Sequence, residues 1–271
     1  MVDVPRAVET AEQFLRESLA DTGAGGYVVG VSGGLDSALA TRVAVDAVGA
    51  DAVTGLVLPA GPTADENTRD AVDLCERLGV DNRVVDIKPL VDAVAETAPV
   101  DLDRLTRGNI QARMRMVLLY EAANRRDALV LGPENRSEYL LGYFTKHGDG
   151  AVDVAPLRRL YKTEFYELAR GVGLDERFIE KQPSAELWEG QTDEAELGAD
   201  YATIDPVLVG LVERGQSVET VAAETDTDRD LVERLAERWT SSAHKRAQPP
   251  AADLGAGVGA LCATGADGSS R

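Results

Sequence analysis

Hydrophobic positions in the first half of the chain follow two alternating patterns. Short apolar runs at Tyr27 to Val31, Val53 to Leu58, Arg83 to Ile87 and Ala128 to Leu131 read as buried strands, the second closed by Pro59. Between them, apolar residues recur at helical spacing over Ser37 to Val48 and Asn67 to Leu78, and again at Ile110, Met114, Val117 and Leu118. Strands that are apolar throughout need cover on both faces. The alternation therefore predicts an α/β fold, a doubly wound parallel sheet with helices on both faces. Ligands of such sheets sit at the carboxyl ends of the strands, and the polar, glycine-rich segments of this chain fall there.

The second half changes character. Gly142 to Pro156 is polar and glycine-rich without an apolar period, which suits a loop over a site, and Pro183 to Asp200 is a second candidate lid. Helices are predicted over Leu160–Val172, Asp205–Arg214, Ser217–Glu224 and Asp228–Trp239, closing a single domain at residues 1–247. From Gln248 onward Ala, Gly, Pro and Ser dominate, and residues 248–271 read as a disordered tail. Gly255 to Ala260 imitates a dinucleotide fingerprint, but no strand precedes it and no helix follows, so composition alone accounts for it.

Charge narrows the partners. The 271 residues carry 47 acidic against 28 basic side chains, a net charge of -19. Such a surface repels nucleic acid and anionic membrane, so neither is an expected partner. No apolar run approaches the ~20 residues of a membrane span, and the first six residues lack the basic-then-apolar layout of a secretion signal. Cys75 and Cys262 have no zinc or redox spacing, so a reducing cytoplasm is the expected location. Lysine occurs only at Lys88, Lys146, Lys162, Lys181 and Lys245. An acidic, lysine-poor chain is similar to the proteins of a halophilic archaeon, where molar salt shortens the Debye length to about 3 Å and quiets repulsion between carboxylates. The other reading is an ordinary acidic protein. Either way an anionic substrate must find a local positive site.

The candidate chemistry begins at Gly30-Val31-Ser32-Gly33-Gly34-Leu35-Asp36-Ser37, set between a strand and a helix. Its paired glycines let a ligand approach the backbone, and Ser32, Ser37 and the amides opening the helix can donate to phosphate oxygens. A lone carboxylate there would repel phosphate. Asp36 therefore reads either as a Mg ligand, since Mg binds carboxylates and phosphates together, or as a helix cap. No Gly-Lys-Ser/Thr occurs, which sets aside a kinase-type loop.

This run resembles the pyrophosphate loop of the N-type ATP pyrophosphatase superfamily, whose adenine nucleotide alpha hydrolase-like fold and cleavage of ATP to AMP and pyrophosphate are thereby implied. Further motifs narrow the likeness to the ammonia-dependent NAD synthetases over roughly Val28 to Pro249. Asn109 to Met116 is similar to the family's dimer-interface helix, implying a homodimer and making Arg113 a deamido-NAD contact. By residue type alone, Arg113 and Arg115 read equally as solvated charges. Gly132 to Glu138 and Gly142 to Gly150 match closely, implying that Glu138 joins Asp36 on the metal and that Lys146 and Asp153 contact deamido-NAD. By composition alone, Asp36 and Glu138 are two acids among many. Lys162 in Leu160 to Glu164 and Ser184 in Pro183 to Trp188 match ATP-binding positions, with Asp36 and Lys162 as the catalytic pair. His244 and Lys245 match the basic segment that closes on deamido-NAD. The acids of Gly190 to Gly198 read by default as a solvated lid.

Pro133 departs from the pattern. The family carries a threonine there that touches ATP, and proline has neither hydroxyl nor amide proton. The resemblance implies ATP-dependent amidation of deamido-NAD to NAD with ammonia, through an adenylate. No segment is long enough for a glutaminase domain, which leaves free ammonia or a separate glutaminase chain. Alternative readings are another amide- or thio-transferring member of the superfamily, such as a GMP synthetase ATPase subunit, and a non-catalytic nucleotide sensor.

Overall fold

The computed structural model describes residues 2–61, 66–188 and 190–252. Its elements run α1 (Val4–Thr22), β1 (Tyr27–Gly30), α2 (Leu35–Val48), β2 (Val53–Val57), α3 (Glu66–Leu78), β3 (Asp81–Val84), α4 (Lys88–Thr97), α5 (Arg104–Arg126) and β4 (Leu129–Leu131). There follow α6 (Arg136–Leu141), α7 (Lys162–Gly171), α8 (Glu176–Ile179), α9 (Asp193–Leu197), α10 (Tyr201–Leu208), α11 (Val218–Thr225), α12 (Arg229–Ser241) and α13 (Ala243–Arg246). The four described strands form one parallel sheet in the order β3-β2-β1-β4.

Successive strand residues point to opposite faces, and each face has its own core. Tyr27, Val29, Val31, Val53, Val57 and Leu131 pack with α1, α2, α3 and α7. Val28, Leu56, Leu58 and Val130 pack with α4 and α5 through Val91, Met116, Leu119 and Ala123. The predicted two-sided sheet is therefore what forms. A third cluster of Leu141, Ile204, Val207, Leu208, Val232 and Leu235 binds α6, α10 and α12 into a helical layer beside it. Strand order reverses between β1 and β4, so the loops after these two strands flank the crevice where such sheets bind ligands.

Several boundaries differ from the sequence reading, each for a physical reason. The third ladder begins at Asp81 rather than Arg83. It is an edge strand, mostly exposed, so apolarity does not mark its start. The amphipathic α1 has no counterpart in the sequence reading, although Asp3 caps it and Gly23 ends it in the left-handed conformation at φ 75°. The Asp205–Arg214 helix instead starts at Tyr201, where Asp200 accepts from Thr203 N at 2.9 Å. Pro206 then lies inside α10, and the chain widens into a π turn at Val209–Glu213. The described residues of 142–156 and 183–192 carry no long helix, as expected of covering loops, and short α9 follows the second. Of the predicted tail, residues 248–252 have no regular structure; residues 253–271, with Cys262 and Gly255 to Ala260, lie outside the described residues. No described helix is long and apolar enough to cross a membrane.

Phe165 on α7 is fully buried between α1, α2 and the sheet. Phe165→Ala is expected to lower stability by about 3–5 kcal/mol, read by equilibrium denaturation, because truncating a fully buried aromatic leaves a cavity in the core.

Candidate active site

The loop after β1 is shaped by its own backbone demands. Gly33 sits at φ 87°, and a Cβ there would lie 2.2 Å from the Asn67 carbonyl oxygen, so only glycine lets the loop rest on α3. The Ser37 hydroxyl accepts from Ser32 N at 3.1 Å and donates to Gly34 O at 3.1 Å, while Gly34 N donates to the exposed Ser32 hydroxyl at 3.2 Å. Ser37 thus braces the loop from inside. Val31 and Leu35 are buried in the core, so only their backbone can reach one. Gly34 is the N-cap of α2, and no side chain caps that helix. Its opening amides are left for an anion, and the helix dipole favours negative charge there.

Asp36 is not a helix cap. Its carboxylate accepts from the buried ammonium of Lys162 and, at 3.1 Å, from Asn135 Nδ2. Asn135 follows β4 and caps α6, accepting from Glu138 N at 2.9 Å. Glu138 in turn meets Lys162 Nζ at 3.1 Å. The loops after β1 and β4 and the first residue of α7 therefore converge on one point. Burial alone would lower the Lys162 pKa, but the charges of Asp36 and Glu138 outweigh it and raise it, so the ammonium stays protonated. Burial pushes the Glu138 carboxyl up to about 8; Lys162 opposes the shift, while Asp36 and Asp193 add to it.

Asp193 corrects the reading of its segment as a solvated lid. It is only 3% exposed, accepts from the Tyr201 hydroxyl at 2.8 Å, and burial raises its carboxyl despite the nearby Lys162. The Tyr201 ring also lies 5.4 Å from Lys162 Nζ. Beside these residues is a cavity of about 500 Å³, walled partly by Gln182 and by Pro183, where the second loop begins. The sequence offered little sign of this, because Asp193 stands in an acid-rich run.

The carboxylates fit a divalent cation in one specific sense. Asp36 and Glu138 direct hard oxygen donors at a single ammonium, and with Asp193 they outnumber its charge. Among the described residues no group of three or more His, Cys, Asp and Glu could hold a metal by itself. Two carboxylates completed by phosphate oxygens and water are a donor set suited to Mg²⁺.

The remaining predicted residues form two groups. Arg113 donates to Lys146 O at 3.2 Å, and Lys146 Nζ lies 3.3 Å from His244 Nδ1, so three of the five come together. Lys245 braces the loop from behind, donating to Gly142 O and Phe144 O at 2.7 Å each. Asp153 stands apart from these contacts, accepting from Val130 N at 2.8 Å and the Tyr120 hydroxyl at 2.9 Å. Arg115 is not the solvated charge that residue type allowed: it is half-buried and donates to Leu58 O at 3.0 Å. Asp149, absent from the sequence reading, accepts from Thr145 N at 2.9 Å; burial raises its carboxyl against the opposing charges of Arg115 and Lys245. The Ser184 hydroxyl donates to Gln191 O at 2.7 Å and accepts from Glu186 N, closing its own loop rather than touching Asp36 or Lys162. Pro133 follows β4 after one residue, Gly132, and its nitrogen offers no donor. Cys75 is buried on α3, and burial pushes its thiol up to about 11, so it is no nucleophile for this site.

Residues 7–249 match the family model described as NAD synthase. The NH(3)-dependent NAD(+) synthetase of Thermococcus kodakarensis is 46% identical over 248 residues, covering 92% of this chain and 97% of that protein. The enzyme of the same name from Halobacterium salinarum is 43% identical over 241 residues, covering 89% and 90%. Among solved structures, an NH3-dependent NAD synthetase from Campylobacter jejuni superposes with a TM-score of 0.80 at 30% identity, over 93% of this chain and 100% of that one. An NMN synthetase from Francisella tularensis gives 0.79 at 32%, over 94% and 100%.

Beneath Lys162 lies a brace that can be tested by itself. The fully buried Ser137 hydroxyl accepts from Lys162 N at 2.9 Å and donates to Asp205 Oδ1 at 2.5 Å, and Asp205 also accepts from Thr163 N at 2.8 Å. Ser137→Ala strands a buried donor and a buried acceptor. It is expected to cost about 1–3 kcal/mol in equilibrium unfolding.

Proposed function

The chain belongs to the NAD synthase family, and from that premise we propose how its residues carry out ATP-dependent amidation of deamido-NAD to NAD with ammonia. The observation that carries the proposal is the buried Lys162 ammonium, shared by Asp36 and Glu138 beside the open N-terminus of α2. A carboxylate resists ammonia because it is negatively charged and has no good leaving group. Transfer of AMP from ATP to that carboxylate removes both obstacles and releases pyrophosphate. Ammonia then displaces AMP and the amide forms.

The protein's part is positioning and charge stabilisation. The amides of Leu35 and Asp36 and the Ser32 hydroxyl would hold the pyrophosphate, joined by the Gly34 amide as it exchanges its bond to Ser32 for a phosphate oxygen. Lys162 adds a fixed positive charge as the leaving group separates; its raised pKa makes it a poor base. Asp36 and Glu138 would hold Mg²⁺, which supplies charge neutralisation of the phosphates when bound. Arg113, Lys146 and His244 offer a positive face suited to the deamido-NAD phosphates, and Lys245 keeps the 142–144 backbone in place beside them. We assign Asp153 to the same substrate on resemblance, with Tyr120 fixing its carboxylate. Ser184 belongs to the ATP group through its loop, which walls the cavity next to Asp193. No side chain is expected to carry a covalent intermediate.

A homodimer through α5 is part of the proposal. Leu105 and Val117 on that helix are exposed, at 62% and 55%, and a twofold axis through the helix would cover both with their copies. Free ammonia is the proposed nitrogen source, a cytoplasmic location the proposed setting, and a separate glutaminase chain is not required.

The purified chain with ATP, Mg²⁺, ammonium and deamido-NAD should yield NAD, AMP and pyrophosphate in equal amounts. Nicotinate mononucleotide is the necessary second acceptor, given the solved neighbour called NMN synthetase, and xanthosine monophosphate the third. Preference for either would replace deamido-NAD in the proposal. Lys162→Met is expected to lower kcat by ~10²–10³-fold, the usual cost of removing one preorganised charge from a transition state. Asp36→Ala with full pyrophosphate release would remove the metal assignment.

A further inference from the structure

The glycine loop is held from outside by a lysine that the reaction as described does not use. Lys181 lies between α8 and the 183–192 loop, and its ammonium is largely buried. It donates to Gly33 O at 2.8 Å, to Asn67 Oδ1 at 2.7 Å and to Asp70 Oδ2 at 2.6 Å. Those three acceptors use all three of its protons. Charge neutralisation alone does not explain the arrangement, because Asp70 also meets Arg177 at 3.3 Å.

The contact with Gly33 O has a geometric consequence. In a planar trans peptide the C=O and the following N–H point to opposite sides. With the Gly33 carbonyl turned to the largely buried Lys181, the Gly34 N–H turns the opposite way, toward the exposed Ser32 Oγ, to which it donates at 3.2 Å. Glycine on both sides makes this peptide easy to rotate. A flip would aim a carbonyl oxygen, instead of an amide proton, at an incoming phosphate.

We propose that Lys181 is a positioning residue of the pyrophosphate site, holding the Gly33–Gly34 peptide in the orientation that presents a donor to phosphate. The inference rests on the reading of this loop as the pyrophosphate cradle. Asn67 extends the clamp, since its side chain also donates to Glu186 in the 183–192 loop. The phosphate loop, α3 and the second covering loop thus share one anchor.

The test compares wild type, Lys181→Met, Lys181→Arg and Asn67→Ala by calorimetric titration with Mg-pyrophosphate and, separately, with deamido-NAD, alongside steady-state kinetics. In Lys181→Met the pyrophosphate Kd and the KM for ATP are expected to rise together by roughly 10-fold or more, the scale of a lost charged hydrogen bond. Deamido-NAD affinity should be unchanged, and Lys181→Arg should recover part of the loss. Unaltered pyrophosphate affinity in Lys181→Met overturns the inference, as does an equal loss for both ligands, which marks a merely structural lysine. If Lys181→Met does not fold, Asn67→Ala decides: a smaller, pyrophosphate-selective loss supports the clamp, and no loss overturns it. Wild type that fails to bind pyrophosphate instead overturns the reading of the loop, a result distinct from any difference among variants.

Discussion

One buried ammonium organises this protein. Lys162 begins α7, yet its charge is met by Asp36 from the loop after β1 and by Glu138 from the helix after β4. These two strands are neighbours at the point where strand order reverses, so the ion cluster forms where the fold already leaves a crevice. Removing one partner from a buried pair costs ~3–5 kcal/mol, which gives each segment a reason to keep its register. The Ser137–Asp205 brace and the Asn135 cap fix the backbone that presents Lys162 and Glu138. The proposed chemistry and the folding thus lean on the same contacts.

Scarcity makes the lysines informative. Lys162 and Lys181 each end in several interior oxygens, and Lys245 joins Gly142 and Phe144 carbonyls that sequence alone would not pair. Lys88, by contrast, makes an exposed pair with Asp92 on α4, of the kind that contributes little. Arginine serves most of the remaining surface pairs, among them Arg77–Asp73, Arg126–Asp81 and Arg229–Glu219. A planar fork suits exposed carboxylates, whereas a compact ammonium fits a small interior space bounded by oxygens.

Much of this was legible in the sequence, and the failures have causes. The strand at Tyr27, the glycine loop and α2 could be read because apolar runs, φ-permissive glycines and helical spacing agree with one another there. The edge strand could not be bounded, since an exposed ladder has no apolar signature. Asp193, Asp149 and Asp205 were hidden by abundance: in a chain with 47 acids, no single carboxylate announces its burial. Lys181 was hidden differently. Its partners lie more than a hundred residues earlier, and their meeting is a property of the tertiary fold.

A net charge of -19 sets the terms on which anionic nucleotides enter. Lys162 cannot offset it locally, because Asp36 and Glu138 already share its charge and Asp193 stands close by. The amides opening α2 supply only a partial positive charge, about half a unit for a whole helix terminus. A bare triphosphate would therefore meet a crevice with too little positive charge to hold it. The same phosphates accompanied by a divalent cation would satisfy the two carboxylates and the amides together. Burial already raises the Glu138 carboxyl, and Asp36 and Asp193 add to the shift, so negative charge is crowded at this point of the fold. Under the proposed function the acidic pair would select for the metal complex of ATP, and the glycine loop, kept with its donor toward Ser32, would read its phosphates.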